Sequence, residues 1–139
     1  MTQDGFNTFC ASLPHSFHVV QWHGADVWKV GRPAQRNDDG IGKKTGSQPF
    51  KMFCAGWWND EQEPARVTFH CSDIGFEMLK DTPGCRPAPY MASRGMTWIQ
   101  RFNDEGVSDA ALKDYIESSH RLMAAKLTKT LQRELGFIA

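Results

Sequence analysis

The sequence predicts an α+β domain, an antiparallel sheet built from hairpins with helices packed on one face. Three observations carry this. Two pairs of short β-forming runs stand close enough to make hairpins: Ser16 to Trp22 with Val27 to Val30, and Phe50 to Trp57 with Arg66 to His70. The helical patterns are set apart from these runs rather than alternating with them. One long amphipathic stripe, about Asp109 to Leu135, closes the chain and is expected to lie across the sheet.

The first helix is expected from about Gln3 to Leu13, where Phe6, Phe9, Cys10 and Leu13 recur at helical spacing. Asp4 suits the positive end of the helix dipole, and Pro14 ends the pattern. Ser16 to Trp22 alternates like a strand with one face better buried. His23 to Asp26 reads as a turn, and Val27 to Val30 as the second strand. Gly31 to Pro49 is then a long polar run with Ile41 almost its only apolar side chain. Loops of that length are usually functional or disordered. A mobile surface insertion is expected there, with a binding loop as the alternative, since it holds Arg32, Arg36, Lys43 and Lys44 against Asp38 and Asp39.

Phe50 to Trp57 is expected to alternate, with Phe50, Met52, Cys54 and Gly56 opposite Lys51, Phe53, Ala55 and Trp57. Asn59 to Pro64 is an acidic turn, and Val67 and Phe69 share one face of the next strand. Ser72 is a good N-cap for a helix from Asp73 to Lys80 that buries Ile74, Met78 and Leu79. A last strand is expected from about Met96 to Phe102. Ser108 then caps the closing helix, in which Leu122 and Leu127 are expected to be buried, and Gly136 stands where a C-cap glycine belongs.

At 139 residues the chain reads as a single domain, 1–139, able to bury a core without a disulfide or metal staple. Formal net charge is zero, which argues against strong non-specific nucleic-acid binding. Any such contact must come from a local patch. The four cysteines show no zinc-ligand spacing, and Cys54 and Cys71 sit in apolar runs where small core residues are expected. No secretion-signal pattern or membrane-length apolar run is present, so a cytoplasmic protein with reduced thiols and no membrane partner is expected.

The most unusual stretch runs from Gly84 to Trp98. Pro87 and Pro89 each fix φ, and they push Arg86 and Ala88 out of the α region, so Arg86 to Pro89 should be extended. From Pro83 to Asn103 there is no acidic residue, while Arg86, Tyr90, Arg94, Trp98 and Arg101 are all present. This reads either as a rigid link whose Tyr90 and Trp98 pack on the core, or as a surface for an anion or nucleic acid. Arg86 is expected to be structural, its guanidinium held by several acceptors, and Arg94 to contact ligand.

The chain resembles the MmcQ/YjbR family. The resemblance rests on Leu13-Pro14, Trp22, Val27-Trp28-Lys29-Val30, Lys51-Met52-Phe53, Pro83-Gly84, Arg86-Pro87-Ala88-Pro89-Tyr90 and Trp98. It continues into the closing helix through Ser118, Ser119 and Ala125-Lys126-Leu127, and so spans about Phe9 to Leu135. It implies a compact α+β fold related to the secretion-chaperone-like group, with a double-wing arrangement for DNA binding. Two features depart from the family pattern. The Gly31 to Pro49 insertion replaces a tight turn, and Ala92 and Ser93 stand where Asn and Lys are frequent.

Enzymatic motifs are absent: no GxSxG, Walker-type or GxGxxG pattern occurs. His70 and Cys71 are adjacent in a strand and should face opposite sides, as should His15 and His18, so neither a nucleophile–base pair nor a metal cluster is expected. No cofactor is expected. The leading expectation is a small DNA-binding module that uses Lys43, Lys44, Lys51, Arg86, Tyr90, Arg94, Trp98 and Arg101. The alternative is a protein-interaction or adaptor domain anchored by Trp57 and Trp58.

Overall fold

The computed structural model describes residues 1–35, 48–58, 65–89, 91–92 and 95–139. The elements run α1 (Gln3–Ala11), β1 (Ser16–Gln21), β2 (Ala25–Gly31), β3 (Phe50–Trp57), β4 (Arg66–His70), α2 (Asp73–Leu79), β5 (Cys85–Pro87), β6 (Trp98–Arg101), α3 (Asp109–Ala124) and α4 (Lys129–Glu134). The strands form one six-stranded sheet in the order β1-β2-β3-β4-β6-β5, with every neighbouring pair antiparallel. The expected α+β architecture is therefore present, with α3 packed on β2, β3 and β4. Among the described residues no helix is long and apolar enough to cross a membrane.

Helix starts follow the capping chemistry of the sequence. The side chains of Thr2, Ser72, Ser108 and Thr128 each accept a backbone N–H from three residues ahead. Thr128 accounts for one correction. The closing helix is two helices, because Thr128 caps a fresh start at Lys129 after α3 stops at Ala124. Buried Gln132 secures the break by donating from Nε2 to the carbonyls of Ala125 and Leu127, at 3.2 and 2.7 Å. Those are carbonyls that the end of a helix leaves without partners. Leu127 is buried in the link between the helices, whereas Leu122 is only half-buried. Gly136 does follow the last helix with φ +81.

A second correction concerns α2. Its buried side is Leu79, with Phe76 partly buried against the same core, while Ile74 and Met78 are 75% and 67% exposed. An apolar i, i+4 pair satisfies helical periodicity on either face, so the pattern alone could not choose. The extended segment from Arg86 becomes a short edge strand, β5, and β6 covers less than the expected Met96 to Phe102.

The third correction lies in β3. Trp28 pairs with Cys54, but Lys29 pairs with Met52, so Phe53 is an extra residue in a β-bulge. Strict alternation fails there, and Phe53 and Cys54 both enter the core beneath α3. That core also holds Phe6, Phe69, Ile99, Leu112 and Ile116, all fully buried. Ser119 of α3, itself fully buried, spans the irregularity. Its hydroxyl donates to the Phe53 carbonyl at 2.6 Å and accepts the His70 backbone N–H at 3.0 Å.

The other face of the sheet carries a row running through consecutive register partners: Val19, Val27, Ala55, Thr68, Gln100 and Arg86. It turns from apolar at β1 to polar at β5. Ala25, Val27 and Ala55 form a small second core there, flanked by Val19, Met52 and Trp57.

Replacing Ser119 by Ala should lower unfolding free energy by about 1–3 kcal/mol, because two buried backbone groups lose their partner. Urea unfolding measures this. An unchanged midpoint would mean that the Phe53 carbonyl finds another donor.

Candidate functional site

The described site residues fall into two groups, those held within the fold and those left open. Arg101 is held. It is 6% exposed, its Nε donates to the Asn103 carbonyl at 3.1 Å, and its Nη2 donates to Asp109 at 2.9 Å. Asp109 also takes the N-terminal ammonium at 3.0 Å. The hydrogen bond from that ammonium, together with Arg101, holds the Asp109 carboxyl below its usual range despite partial burial. Arg86 is exposed, yet its guanidinium is tied as well, by a side-chain amide rather than by carbonyls or a carboxylate. Its Nε and Nη2 both donate to Gln100 Oε1, at 2.9 and 2.6 Å, and its guanidinium lies 4.9 Å from the Phe102 ring centre. Gln100 in turn donates to Thr68 Oγ1 at 3.4 Å, continuing the polar row. Lys43, Lys44, Tyr90 and Arg94 lie outside the described residues.

Lys51 and Trp98 come together in one cleft of about 480 Å³. Its wall also includes His70 of β4, Asp73 at the start of α2, and Met123 and Lys126 at the end of α3. Met91, Met96 and Thr97 close it from the segment between β5 and β6. Trp98 is only 5% exposed and packs in the main core, so its ring offers no open face for stacking. Neither Lys51 nor Lys126 makes an ion pair with a described residue. Lys126 is exposed.

The bulge explains how Lys51 arrives there. Because Phe53 is extra, Lys51 pairs with Val30 and takes the same sheet face as Trp28, the face that carries α3. A regular strand would have turned Lys51 away from Lys126.

Burial pushes the Cys71 thiol up to about 11, helped by Asp73, and its Sγ faces the Thr97 carbonyl at 3.6 Å. Burial likewise lowers the His70 pKa, with Lys126 adding to the effect. Among the described residues no group of three or more His, Cys, Asp or Glu is placed to hold a metal.

A second groove adjoins the first and shares Met91 and Met96 with it. Its remaining lining is Trp22, Trp57 and Pro89. Trp22 and Trp57 lie nearly parallel, 15° between planes and 6.3 Å between ring centres. Trp58, expected as an anchor beside Trp57, instead turns inward. It packs 5.1 Å from the Phe6 ring and donates to Asp26 at 2.7 Å. Trp22 is the residue that the sequence reading missed. Its signal was a tryptophan at a hairpin tip, where small or polar residues are usual.

A six-stranded antiparallel sheet, backed by helices and carrying a small basic cleft at one end, defines a compact α+β domain. The chain belongs to the YjbR family, whose model matches residues 11–122. A crystal structure of a protein from Pseudomonas syringae shares the fold, with a TM-score of 0.59 at 15% identity, covering 88% of this chain and 99% of that one. No curated protein matches the sequence.

Two predictions follow from these geometries. Arg86→Ala strips both donors from the buried Gln100 Oε1 and should destabilise by about 1–3 kcal/mol, read as an earlier thermal melt. A melt matching the parent would make Arg86 dispensable to the fold.

The second concerns pH. Burial lowers the pKa of His120, whose Nε2 donates to the Pro14 carbonyl at 2.7 Å, and also that of His70, both from 6.5. Below that value the unfolded chain binds more protons than the folded one, so stability should fall as pH drops through 6.5 toward the folded values. The pKa values of Asp26 and Asp109 are lowered too, in a more acidic window. Their contribution is intact above 3.8 and is lost as pH falls through their lower folded values. Denaturant midpoints across both windows test this, and His120→Gln should flatten the first decline but leave the second.

Proposed function

We propose that the chain is a small, non-enzymatic DNA-binding protein that holds phosphate at the cleft of Lys51 and Lys126. The observation that carries the reading is the meeting of these two lysines, from β3 and from the end of α3, in one cleft. Asp73 is the one carboxylate among its described lining residues. A local cluster of this kind lets a chain of zero net charge bind a polyanion. Arg94 and Tyr90 belong in sequence to the segment that borders the cleft, and Lys43 and Lys44 to the insertion before β3. They remain part of the proposed contact set. Arg86 and Arg101 leave it for structural roles, and Trp98 contributes packing rather than stacking.

The second reading, an adaptor for a protein partner, draws on half-exposed Trp22 beside Trp57. It predicts a captured partner that is lost on Trp57→Ala and kept on Lys126→Ala, with no DNA bound.

Titration of DNA binding against salt is the direct test. The parent should bind at low salt, with affinity falling steeply as salt rises. Lys126→Ala should weaken binding across all sequences and reduce the slope of log K against log salt by about one. Absence of binding at low salt, or binding indifferent to salt, ends the DNA reading.

A further inference from the structure

The tip of the β1–β2 hairpin holds three residues in succession with left-handed backbone: Trp22 at φ +49, His23 at +62 and Gly24 at +98. Glycine and asparagine suit such positions, and a bulky side chain does not. An indole at Trp22 therefore gives the turn nothing. The ring is not there to fill the core either, since Trp22 is 50% exposed. It lies instead nearly parallel to Trp57, over a groove floored by Pro89, Met91 and Met96. A left-handed backbone that carries a half-exposed indole is a feature whose rationale lies outside the turn.

We propose that Trp22, backed by Trp57, is a base-stacking shelf and that the nucleic acid this chain takes is single-stranded. This rests on the DNA-binding reading above and narrows it. The shelf and the lysine cleft are neighbours, joined through Met91 and Met96, which line both. A ligand spanning them must offer a flat apolar face to Trp22 and negative charge to Lys51 and Lys126. Single-stranded nucleic acid alternates those two groups along its length. A duplex keeps its base faces stacked inside and offers the shelf nothing. A protein segment would need carboxylates and an aromatic or aliphatic side chain in the same order, and lacks the repeating charge that the lysine pair favours.

The experiment compares a fluorescently labelled oligothymidylate with a duplex of equal length at low salt, using the parent, Trp22→Asn and Trp22→Phe. The parent should prefer the single strand. Trp22→Asn should melt at or above the parent's temperature, because asparagine accepts the left-handed backbone, yet bind the single strand about ten-fold or more weakly. Trp22→Phe, which restores a ring, should recover most of that loss. Equal binding of duplex and single strand, or Trp22→Asn binding like the parent, overturns the shelf and leaves the DNA reading standing. No binding of either oligonucleotide overturns both, and the exposed tryptophans then fall to a protein partner.

Discussion

The bulge at Phe53 and the serine that answers it set the geometry of the sheet and its site together. One extra residue in β3 turns Phe53 and Cys54 to the same core and reverses the facing of everything before them. Such a defect leaves ladder groups without regular partners, and a buried carbonyl without a donor is costly. Ser119 supplies the donor from α3 and uses the same oxygen to accept the His70 N–H from β4. A single hydroxyl thus pins the helix to two strands. It also fixes where the end of α3 lies relative to Lys51, and so where Lys126 stands.

A buried carboxylate does comparable work on the N-terminal side. Asp26 of β2 is 4% exposed and accepts from Gln3 at 2.8 Å, from Trp58 at 2.7 Å and from His18 at 2.6 Å. Burial alone would raise its pKa, but these donors outweigh it and the group stays ionised below its usual value. An ionised carboxylate only accepts, so the His18 proton on this bond must sit on Nε2. The arrangement ties α1, β1, β2 and the end of β3 through one residue. It also explains why Trp58 faces inward while Trp57, one position earlier, faces the groove.

Much of this fold was legible in the sequence because local chemistry and tertiary packing agree. Phe50–Trp57 and Arg66–His70 have the bounds that their β-formers implied, and Ser72 and Ser108 cap where their hydroxyls suggested. The failures share a physical cause, in that each depends on a partner distant in sequence. Alternation could not reveal a bulge whose unpaired carbonyl is answered by Ser119, 66 positions later. Periodicity could not reveal the break before Thr128, since Met123, Leu127 and Leu131 keep a four-residue spacing across it while Gln132 stabilises the gap. Nor could it choose which apolar face of α2 would be buried. The Pro87-containing segment read as extended without reading as a strand, because proline is tolerated only at an edge, and edge status is a property of the sheet.

The site was less legible, and the reason lies in the difference between arginine and lysine. Proximity in the chain groups Arg86 and Arg101 with Arg94 in one acid-free run. A guanidinium is a planar fork of donors that finds acceptors wherever the fold leaves them, and both arginines did so, one on Gln100 and one on Asp109 and Asn103. An ammonium on a flexible stem is harder to consume in this way. Lys51 and Lys126 make no ion pair with a described residue. In a chain whose charges sum to zero, the cations that remain for a ligand are those that the fold has not already used. Those two are separated by 75 positions, and the bulge together with the packing of α3 on the sheet brings them to one cleft.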